Sequence, residues 1–474
     1  MCNEYFSVLT LGCKLNQLES EAVADAFTQA GFEQLTANNE QSRENGAKNS
    51  PAVVVVNTCT VTSKADQKAR RVICKALRDN PDSAVLVTGC YAQLNRGDLL
   101  KLDAGTKRRL FVIEKDNVLN LIHLLGARHC VLDTLSTFRA RHSAPDNSSA
   151  LDTQFSFNPE RFSRHTRSFL KIQDGCNNHC SYCRIRLARG PGISLDAQEA
   201  LSRLRILEKN HAEAVLTGVN ICQYKEQLTI NGENAAGMGL AELLEYLLGG
   251  TENIKLRLSS LEPDFIDEKL VKILANKRIR PHFHLSIQSG SEKILKKMGR
   301  SYNNDTIEKA VNLLRSAKDD PFLACDIIAG FPGETGTEFD ETLSMCKKLD
   351  FAWIHVFPYS KRPGTPAWHF NGTVRESDVS QRVQILGGLS AHGRERYVKR
   401  WLGREVEAMA ESGTARGSKT ERGCRGISEN YLKLLIRHQG GNVPAPGTVL
   451  RCELLEAGNF KDYDAKAAVV PKLN

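Results

Sequence analysis

Three cysteines, Cys176, Cys180 and Cys183, share one short stretch, Phe169-Leu-Lys-Ile-Gln-Asp-Gly-Cys-Asn-Asn-His-Cys-Ser-Tyr-Cys183. A brief apolar run reads as a strand, stops at Asp174-Gly175, and hands the cysteines to a loop. Their C-x3-C-x2-C spacing lets three thiolates converge on one iron–sulfur cube. Such clusters normally take four cysteine ligands, so three leave one iron with an open position for a substrate or cofactor. A zinc knuckle is the competing chemistry. Zinc motifs, however, bring a second Cys-x2-Cys or His pair to complete a tetrahedron, and none follows Cys183.

Three more cysteines are placed by elements and not by local spacing. Tyr5 to Leu11 reads as a strand ending at Gly12-Cys13, with a helical run from Leu18 to Ala30 stopped by Gly31. Ala52 to Val56 is a continuous β-branched run of the kind buried on both sheet faces, and it ends at Asn57-Thr-Cys59. Thr62 or Ser63 then caps a helix carrying Lys64, Lys68, Arg70 and Arg71. Ala84 to Thr88 repeats the pattern and ends at Gly89-Cys90. Ligands of open α/β sheets bind outside the carboxyl ends of the strands, so Cys13, Cys59 and Cys90 are expected to meet and hold a second cluster, again with one iron free. Cys74 and Cys130 lack this placement and read as core or incidental residues.

The bulk properties bound the rest. The chain has 474 residues, and at about 150 residues per domain that means two to four domains. It carries 41% apolar residues and 14 cysteines, a balance that fits a core-forming chain using metal or redox chemistry over disulfides. No run of about 18 apolar residues suggests a membrane span, and no basic then apolar leader opens the sequence, so the expected location is cytoplasmic. Of the net charge of +9, +7 lies from Lys361 onward, with 19 Lys/Arg against 12 Asp/Glu. That imbalance points to a polyanion, nucleic acid first.

Taken together, Leu11-Gly-Cys-Lys-Leu-Asn16, Asn57-Thr-Cys-Thr-Val-Thr62, Thr88-Gly-Cys-Tyr-Ala-Gln93 and the C-x3-C-x2-C loop resemble the radical S-adenosylmethionine (SAM) methylthiotransferases over nearly the whole chain. The resemblance implies an N-terminal methylthiotransferase domain with an auxiliary [4Fe-4S] cluster on Cys13, Cys59 and Cys90. It also implies a SAM-binding [4Fe-4S] cluster on Cys176, Cys180 and Cys183. The fold class is α/β, and the expected domains are 1–130, an open parallel sheet; 131–160, a polar linker; 161–400, a radical SAM barrel; and 401–474, a small β-barrel. Strand-like runs at Phe169–Ile172, Ala214–Thr217, Ile254–Leu258, Phe283–Ile287, Ala324–Ile328 and Trp353–Phe357 make six β/α units, a partial (β/α)6 barrel.

By the same resemblance, loops at the strand ends bind SAM and shape the cavity: Thr217, Gly218 and Asn220 after the second strand, Ser260 and Glu262 after the third, Gln288 after the fourth and Gly330 after the fifth, with Tyr182 near the adenine. The family scheme generates a 5′-deoxyadenosyl radical and needs no acid–base pair, so no catalytic side chain is nominated. Two departures stand out. Arg184-Ile-Arg186 replaces a usual Ile-Pro, and Cys222 stands where glycine is usual.

The last quarter opens with a helical run, Val374 to Lys399, carrying Val379, Val383, Leu386 and Leu389 on one face. Alternating runs at Val406–Met409, Tyr431–Ile436 and Val449–Leu454 resemble a TRAM domain, with Arg416, Lys419, Arg422 and Arg425 in a glycine-broken loop suited to phosphates. The cysteine motifs look most like the MtaB type of the family, whose substrate is N6-threonylcarbamoyladenosine at position 37, methylthiolated at C2. The implied partners are the tRNA anticodon loop, an electron donor such as flavodoxin or ferredoxin, and a sulfur donor, with no membrane. The MiaB type, acting on N6-isopentenyladenosine, is the runner-up. A ribosomal-protein aspartate suits a basic C-terminal domain poorly, and a non-catalytic RNA-binding iron–sulfur protein has no use for two open irons.

Overall fold

The computed structural model describes residues 4–35, 50–103, 109–126, 131, 134–135, 137, 155–159, 162, 166–226, 229–230, 233–234, 237–416, 422–437 and 443–470. The chain divides into two compact units. The first is Met1–Ser163 with Asp174–Asn177 and Cys183–Ile193; the second is Arg164–Gln173 with Asn178–Tyr182 and Ser194–Asn474.

In the first unit, β1 (Tyr5–Thr10), β2 (Glu33–Gln34), β3 (Val53–Thr58), β4 (Ala84–Gly89) and β5 (Leu110–Val112) form one parallel sheet in the order β2-β1-β3-β4-β5. Val53 to Val56 are fully buried, as a β-branched run covered on both faces must be. Helix α1 (Lys14–Gln29) starts four residues before the apolar period suggested, because Leu15 is the one apolar residue of its first turn and its cap is Cys13. Gly31 follows it at φ +90, the expected stop. Phe27 of α1 stacks on Phe6 at 4.8 Å. Helix α2 (Ser63–Asp79) is capped by Thr62, whose hydroxyl accepts from the amide of Ala65 at 3.1 Å.

The stretch read as a polar linker contributes to this core. Val131, Leu135 and Phe157 are buried in it, the last two hidden by the polar residues around them. The polar run at 38–49 and Cys130 lie outside the described residues. Cys74 is exposed on α2 and belongs to no core.

In the second unit, β6 (Ser168–Lys171), β7 (Glu213–Thr217) and β8 (Lys255–Leu258) pair in parallel, as do β9 (His282–Gln288), β10 (Phe322–Ala329) and β11 (Trp353–Pro358). The triplets join through a parallel bridge between Leu261 and Leu285. All six expected strands are present, in chain order across an open parallel array. A five-stranded closed barrel follows: β12 (Glu405–Arg416), β13 (Arg422–Ser428), β14 (Lys433–Arg437), β15 (Val449–Ala457) and β16 (Ala465–Val469), in the order β12-β13-β14-β16-β15. Sequence reading found three of these strands. β13 holds four basic or glycine residues among its first five and reads as loop, yet Arg416 and Arg422 are register partners in the β12–β13 hairpin and Arg425 lies within β13. Lys419 falls outside the described residues.

A long helix, α6 (Glu376–Trp401), joins the two parts. Of the expected apolar face only Leu386 is buried; the helix is held by its second half, where Gly393 lies against the Phe351 carbonyl and Tyr397 and Val398 enter the core. Buried ion pairs fasten the barrel to the sheet. Glu213 Oε1 accepts from Arg257 Nε at 2.7 Å and its Oε2 from Arg280 Nε at 2.7 Å. Arg257 reaches on to the Glu429 carbonyl at 3.0 Å, and Arg280 to Glu407 at 2.6 Å. Arg394 of α6 pairs with Asp464 at 2.6 Å.

Burial alone would push the Glu213 carboxyl up, but Arg257 and Arg280 outweigh it and hold it at about 2 against an ordinary 4.5. Glu213→Gln leaves two buried guanidiniums without their carboxylate, an expected loss of about 3–5 kcal/mol, measurable by denaturant unfolding. Because the folded carboxyl titrates below its ordinary value, its stabilisation is complete above pH 4.5 and disappears as pH falls toward 2. The unfolding midpoint of the variant is therefore expected to change less with pH across that window than that of the parent chain.

Candidate functional site

In the first unit the sheet delivers three thiols to one end. Cys13 caps α1 directly after β1, Cys59 follows β3, and Cys90 opens a short helix, α3 (Cys90–Leu94), at the end of β4. Side-chain bonds lock these strand ends together. Asn16 Nδ2 donates to the Leu11 carbonyl at 2.8 Å and the Thr58 carbonyl at 2.9 Å; Asn57 Nδ2 returns a bond to the Asn16 carbonyl at 2.9 Å; and Thr58 Oγ1 donates to the Thr88 carbonyl at 2.6 Å. Two glycines make the approach possible. Gly12 has φ +112, and a Cβ there would stand 2.7 Å from Cys59 Cβ; Gly89 has φ +94, and a Cβ there would stand 2.4 Å from Asn57 Oδ1. Only glycine meets both demands.

Burial pushes the Cys59 thiol up to about 11, and Cys13 and Cys90 add to the rise, while the Val61 amide and Arg189 oppose it. None of the three is in a disulfide. Among the described residues no three His, Cys, Asp or Glu side chains close round a single ion. A cube puts each thiolate on a different iron, so its ligands stand farther apart than those of one ion.

At the centre lies Arg189, the last residue of a short helix, α5 (Ile185–Arg189), with a side chain 2% exposed. Its Nε donates to Cys90 Sγ at 3.3 Å, and NH1 donates to both Asp174 oxygens at 3.0 and 3.1 Å. Glu19 Oε1 is 3.1 Å from NH1, and Asn16 Oδ1 accepts from NH2 at 3.3 Å. Lys115 pairs with the same Glu19 oxygen. Asp174 stands two residues before Cys176, and Arg189 six after Cys183, so one guanidinium ties the segments flanking the C-x3-C-x2-C loop to the strand-end cysteines. Cys176 is held by its amide, which donates to the Gly190 carbonyl at 3.2 Å, and Cys183 Sγ accepts from the Ile185 amide at 3.5 Å.

In the second unit Asn220 and, through Arg300, Tyr182 are tied to Glu262. Its carboxylate accepts from Asn178 Nδ2 at 2.8 and 3.1 Å, from Asn220 Nδ2 at 2.7 Å and from Arg300 NH1 at 2.5 Å. Arg300 also donates to the Tyr182 hydroxyl at 2.8 Å, and Tyr182 sits edge-on to Phe331 at 6.3 Å. Burial raises the Cys180 thiol, Arg300 working against it. Gln173 Oε1 accepts from the Asn220 amide at 2.8 Å, and the Gln173 carbonyl would lie 2.9 Å from a Cβ on Gly218. Thr217 is buried and Ser260 half-buried beside them. Gln288 ends β9 at φ +71 next to a register shift, a strained backbone of the kind that collects at functional sites. The Gly330 amide donates to Glu334 Oε2 at 2.6 Å, which also accepts from Arg382.

One departure has a structural use. Cys222 is buried and accepts from the Glu262 amide at 3.3 Å, burial pushing its thiol up to about 12.

Over this sheet, residues 170–346 match the model of the Radical SAM superfamily, and residues 5–108 match that of Uncharacterized protein family UPF0004. Among solved structures, a radical S-adenosylmethionine methyltransferase, TsrM, from Kitasatospora setae aligns at a TM-score of 0.52 and 16% identity, covering 77% of this chain and 75% of that one. The fold is therefore that of a radical SAM protein. A Threonylcarbamoyladenosine tRNA methylthiotransferase MtaB of Treponema pallidum (strain Nichols) is 35% identical over 95% of this chain and 98% of its own length. A tRNA-2-methylthio-N(6)-dimethylallyladenosine synthase of Thermobifida fusca (strain YX) is 28% identical, over 95% and 87%. The chain belongs to the MtaB-type radical SAM methylthiotransferases. Membership brings one [4Fe-4S] cluster and SAM.

Sequence reading missed Arg189, Glu19, Asn178 and Arg300. An arginine six residues past a cysteine motif, or a glutamate inside an amphipathic helix, reads as solvated charge until the fold buries it. Arg189→Met strands the buried carboxylates of Asp174 and Glu19, with an expected cost of about 3–5 kcal/mol. Denaturant unfolding of the cluster-free protein measures it, and a loss under about 0.5 kcal/mol would show that Lys115 suffices.

Proposed function

We propose that this protein methylthiolates C2 of N6-threonylcarbamoyladenosine at position 37 of tRNA. The observation that carries the reading is the placement of Cys13, Cys59 and Cys90 at the carboxyl ends of adjacent parallel strands, in a chain that also bears the C-x3-C-x2-C loop. Cys176, Cys180 and Cys183 are the proposed ligands of the [4Fe-4S] cluster that binds SAM. Cys13, Cys59 and Cys90 are those of a second, auxiliary [4Fe-4S] cluster. The residues suit that group: three soft thiols, two glycines whose Cβ atoms the site would refuse, and a buried cation to balance thiolate charge.

When bound, the clusters and SAM supply the electron, the radical chemistry at an unactivated C–H bond, and the sulfur and methyl group. This chain's own residues bind, orient and exclude water. Arg189 holds a positive charge on the Cys90 side of the auxiliary site and orients Asp174, hence the start of the cysteine loop. Glu262, with Asn178 and Asn220, fixes the loops after β7 and β8 against the segment between Cys176 and Cys180. Thr217, Gly218, Asn220, Ser260, Gln288, Gly330 and Tyr182 are the proposed wall of the SAM site.

The closed barrel is read as TRAM-like. The register pair Arg416 and Arg422, with Arg425, would meet tRNA phosphates, contacts that give affinity without sequence information. An electron donor such as flavodoxin or ferredoxin and a sulfur donor complete the system, and a cytoplasmic location is proposed. Among the described residues no helix is long and apolar enough to cross a membrane. The domain reading of 1–130, 131–160, 161–400 and 401–474 is kept for function, although compactness joins the first two, joins the last two, and puts 174–177 and 183–193 with the first unit.

The MiaB-type reading, on N6-isopentenyladenosine, has the 28% relative in its favour; the higher identity to MtaB favours the first. Mass spectrometry of tRNA nucleosides from cells lacking the gene decides between them. Loss of 2-methylthio-threonylcarbamoyladenosine is expected, loss of the isopentenyl form supports the runner-up, and unchanged tRNA refutes both. Anaerobic reconstitution should give about eight irons per chain, falling to about four in Cys59→Ala, the stoichiometry of two cubes and then one.

A further inference from the structure

The strands β9, β10 and β11 run parallel and in register, with His284 opposite Ala324 and Asp326 opposite His355. Side chains alternate across a sheet, so His284, Asp326, His355 and Phe357 share one face. Leu285, Cys325 and Ile354 on the other face are buried. The imidazoles of His284 and His355 stack at 5.0 Å with planes 11° apart, and Phe357 extends the stack 6.4 Å beyond His355 at 10°. His284 Nε2 lies 2.9 Å from Asp326 Oδ1, which holds that ring in place.

The two ends of this face differ. At the amino end it is filled: Tyr431 from the barrel stacks on His282 at 4.1 Å, and His282 on Phe322 at 5.6 Å. Toward the carboxyl end it is open, with Phe357 40% exposed and His355 exposed. The open end is the one that bears Gly218, Asn220, Glu262, Gln288 and Gly330. His284, Asp326 and His355 do not gather round a common ion position, so the ladder offers ring faces and not metal ligands. A large apolar ring left in water at the active end of a buried sheet, backed by two parallel rings, suits a flat heteroaromatic ligand. RNA loops are read in this way, with an unstacked base laid on an aromatic side chain.

We propose that Phe357, backed by His355 and His284, is the platform on which the adenine ring of a nucleotide turned out of a single-stranded RNA loop stacks. The proposal rests on the tRNA reading above and gives that substrate a specific seat. The test uses the full-length reconstituted protein and an anticodon stem-loop with 2-aminopurine at position 37, whose fluorescence is quenched by stacking. The parent chain is expected to quench it on binding. Phe357→Leu keeps apolar bulk but removes the π face; it should melt like the parent, lose the quench and raise the Kd about 10-fold, the scale of one lost base stack. Phe357→Trp should restore both.

Quenching and affinity unchanged in Phe357→Leu, while the parallel nucleoside assay still shows methylthiolation, would overturn the platform and leave the tRNA reading standing. Recovery in Phe357→Trp supports the platform even if Phe357→Ala proves too unstable to assay. A parent chain that neither binds the stem-loop nor modifies tRNA would remove both.

Discussion

A guanidinium out of water, facing two carboxylates and a thiol, is the constraint on which the first unit depends. Arg189 with a side chain 2% exposed is tenable only because Asp174, Glu19 and Asn16 replace its hydration shell. An arginine whose Nε, NH1 and NH2 each meet a different partner fixes direction as well as charge. It therefore sets where the segment carrying Asp174, Gly175 and Cys176 meets the ends of β1, β3 and β4. Lysine, a point charge on a flexible stem, would balance the carboxylates without fixing that angle.

The second unit repeats the device with the signs reversed. There a buried carboxylate, Glu213, is shared by Arg257 and Arg280, and those arginines continue to Glu429 and Glu407 of the barrel. Buried ion networks are poor contributors to net stability but costly to break. Here they give the small barrel one orientation on the sheet. A barrel joined only by a flexible linker would sample many orientations; one held by Glu213 and by the Arg394–Asp464 pair keeps a single one. Tyr431 from the same barrel closes the amino end of the sheet's open face, so the barrel also shapes the cavity.

The placement of the cysteines was legible because chemistry there imposes local rules. Cysteine spacing is a matter of reach along one loop, and strand-terminal cysteines stand out against runs such as Val53–Val56, whose burial on both faces requires β-branched residues. The six central strands were legible for the same reason. The barrel was less so. β13 reads Arg-Gly-Cys-Arg-Gly, and its glycines serve close packing, since a Cβ on Gly426 would meet Ile436 at 2.4 Å. Nothing local distinguishes such a strand from a loop. Leu135 and Phe157 were hidden likewise, each apolar residue being flanked by polar ones.

By itself, then, the sequence determined the inventory: six thiols in two triads, the glycines beside them, and the alternation that makes a parallel sheet. These follow from covalent spacing and from the periodicity of burial. The tertiary structure decided which charges are interior. Arg189, Glu19, Arg300 and Glu213 look like solvated surface residues in the chain, and only the long-range closure of strands and helices around them turns each into a buried partner. Burial is a property of what surrounds a residue, and residues far apart in sequence supply it.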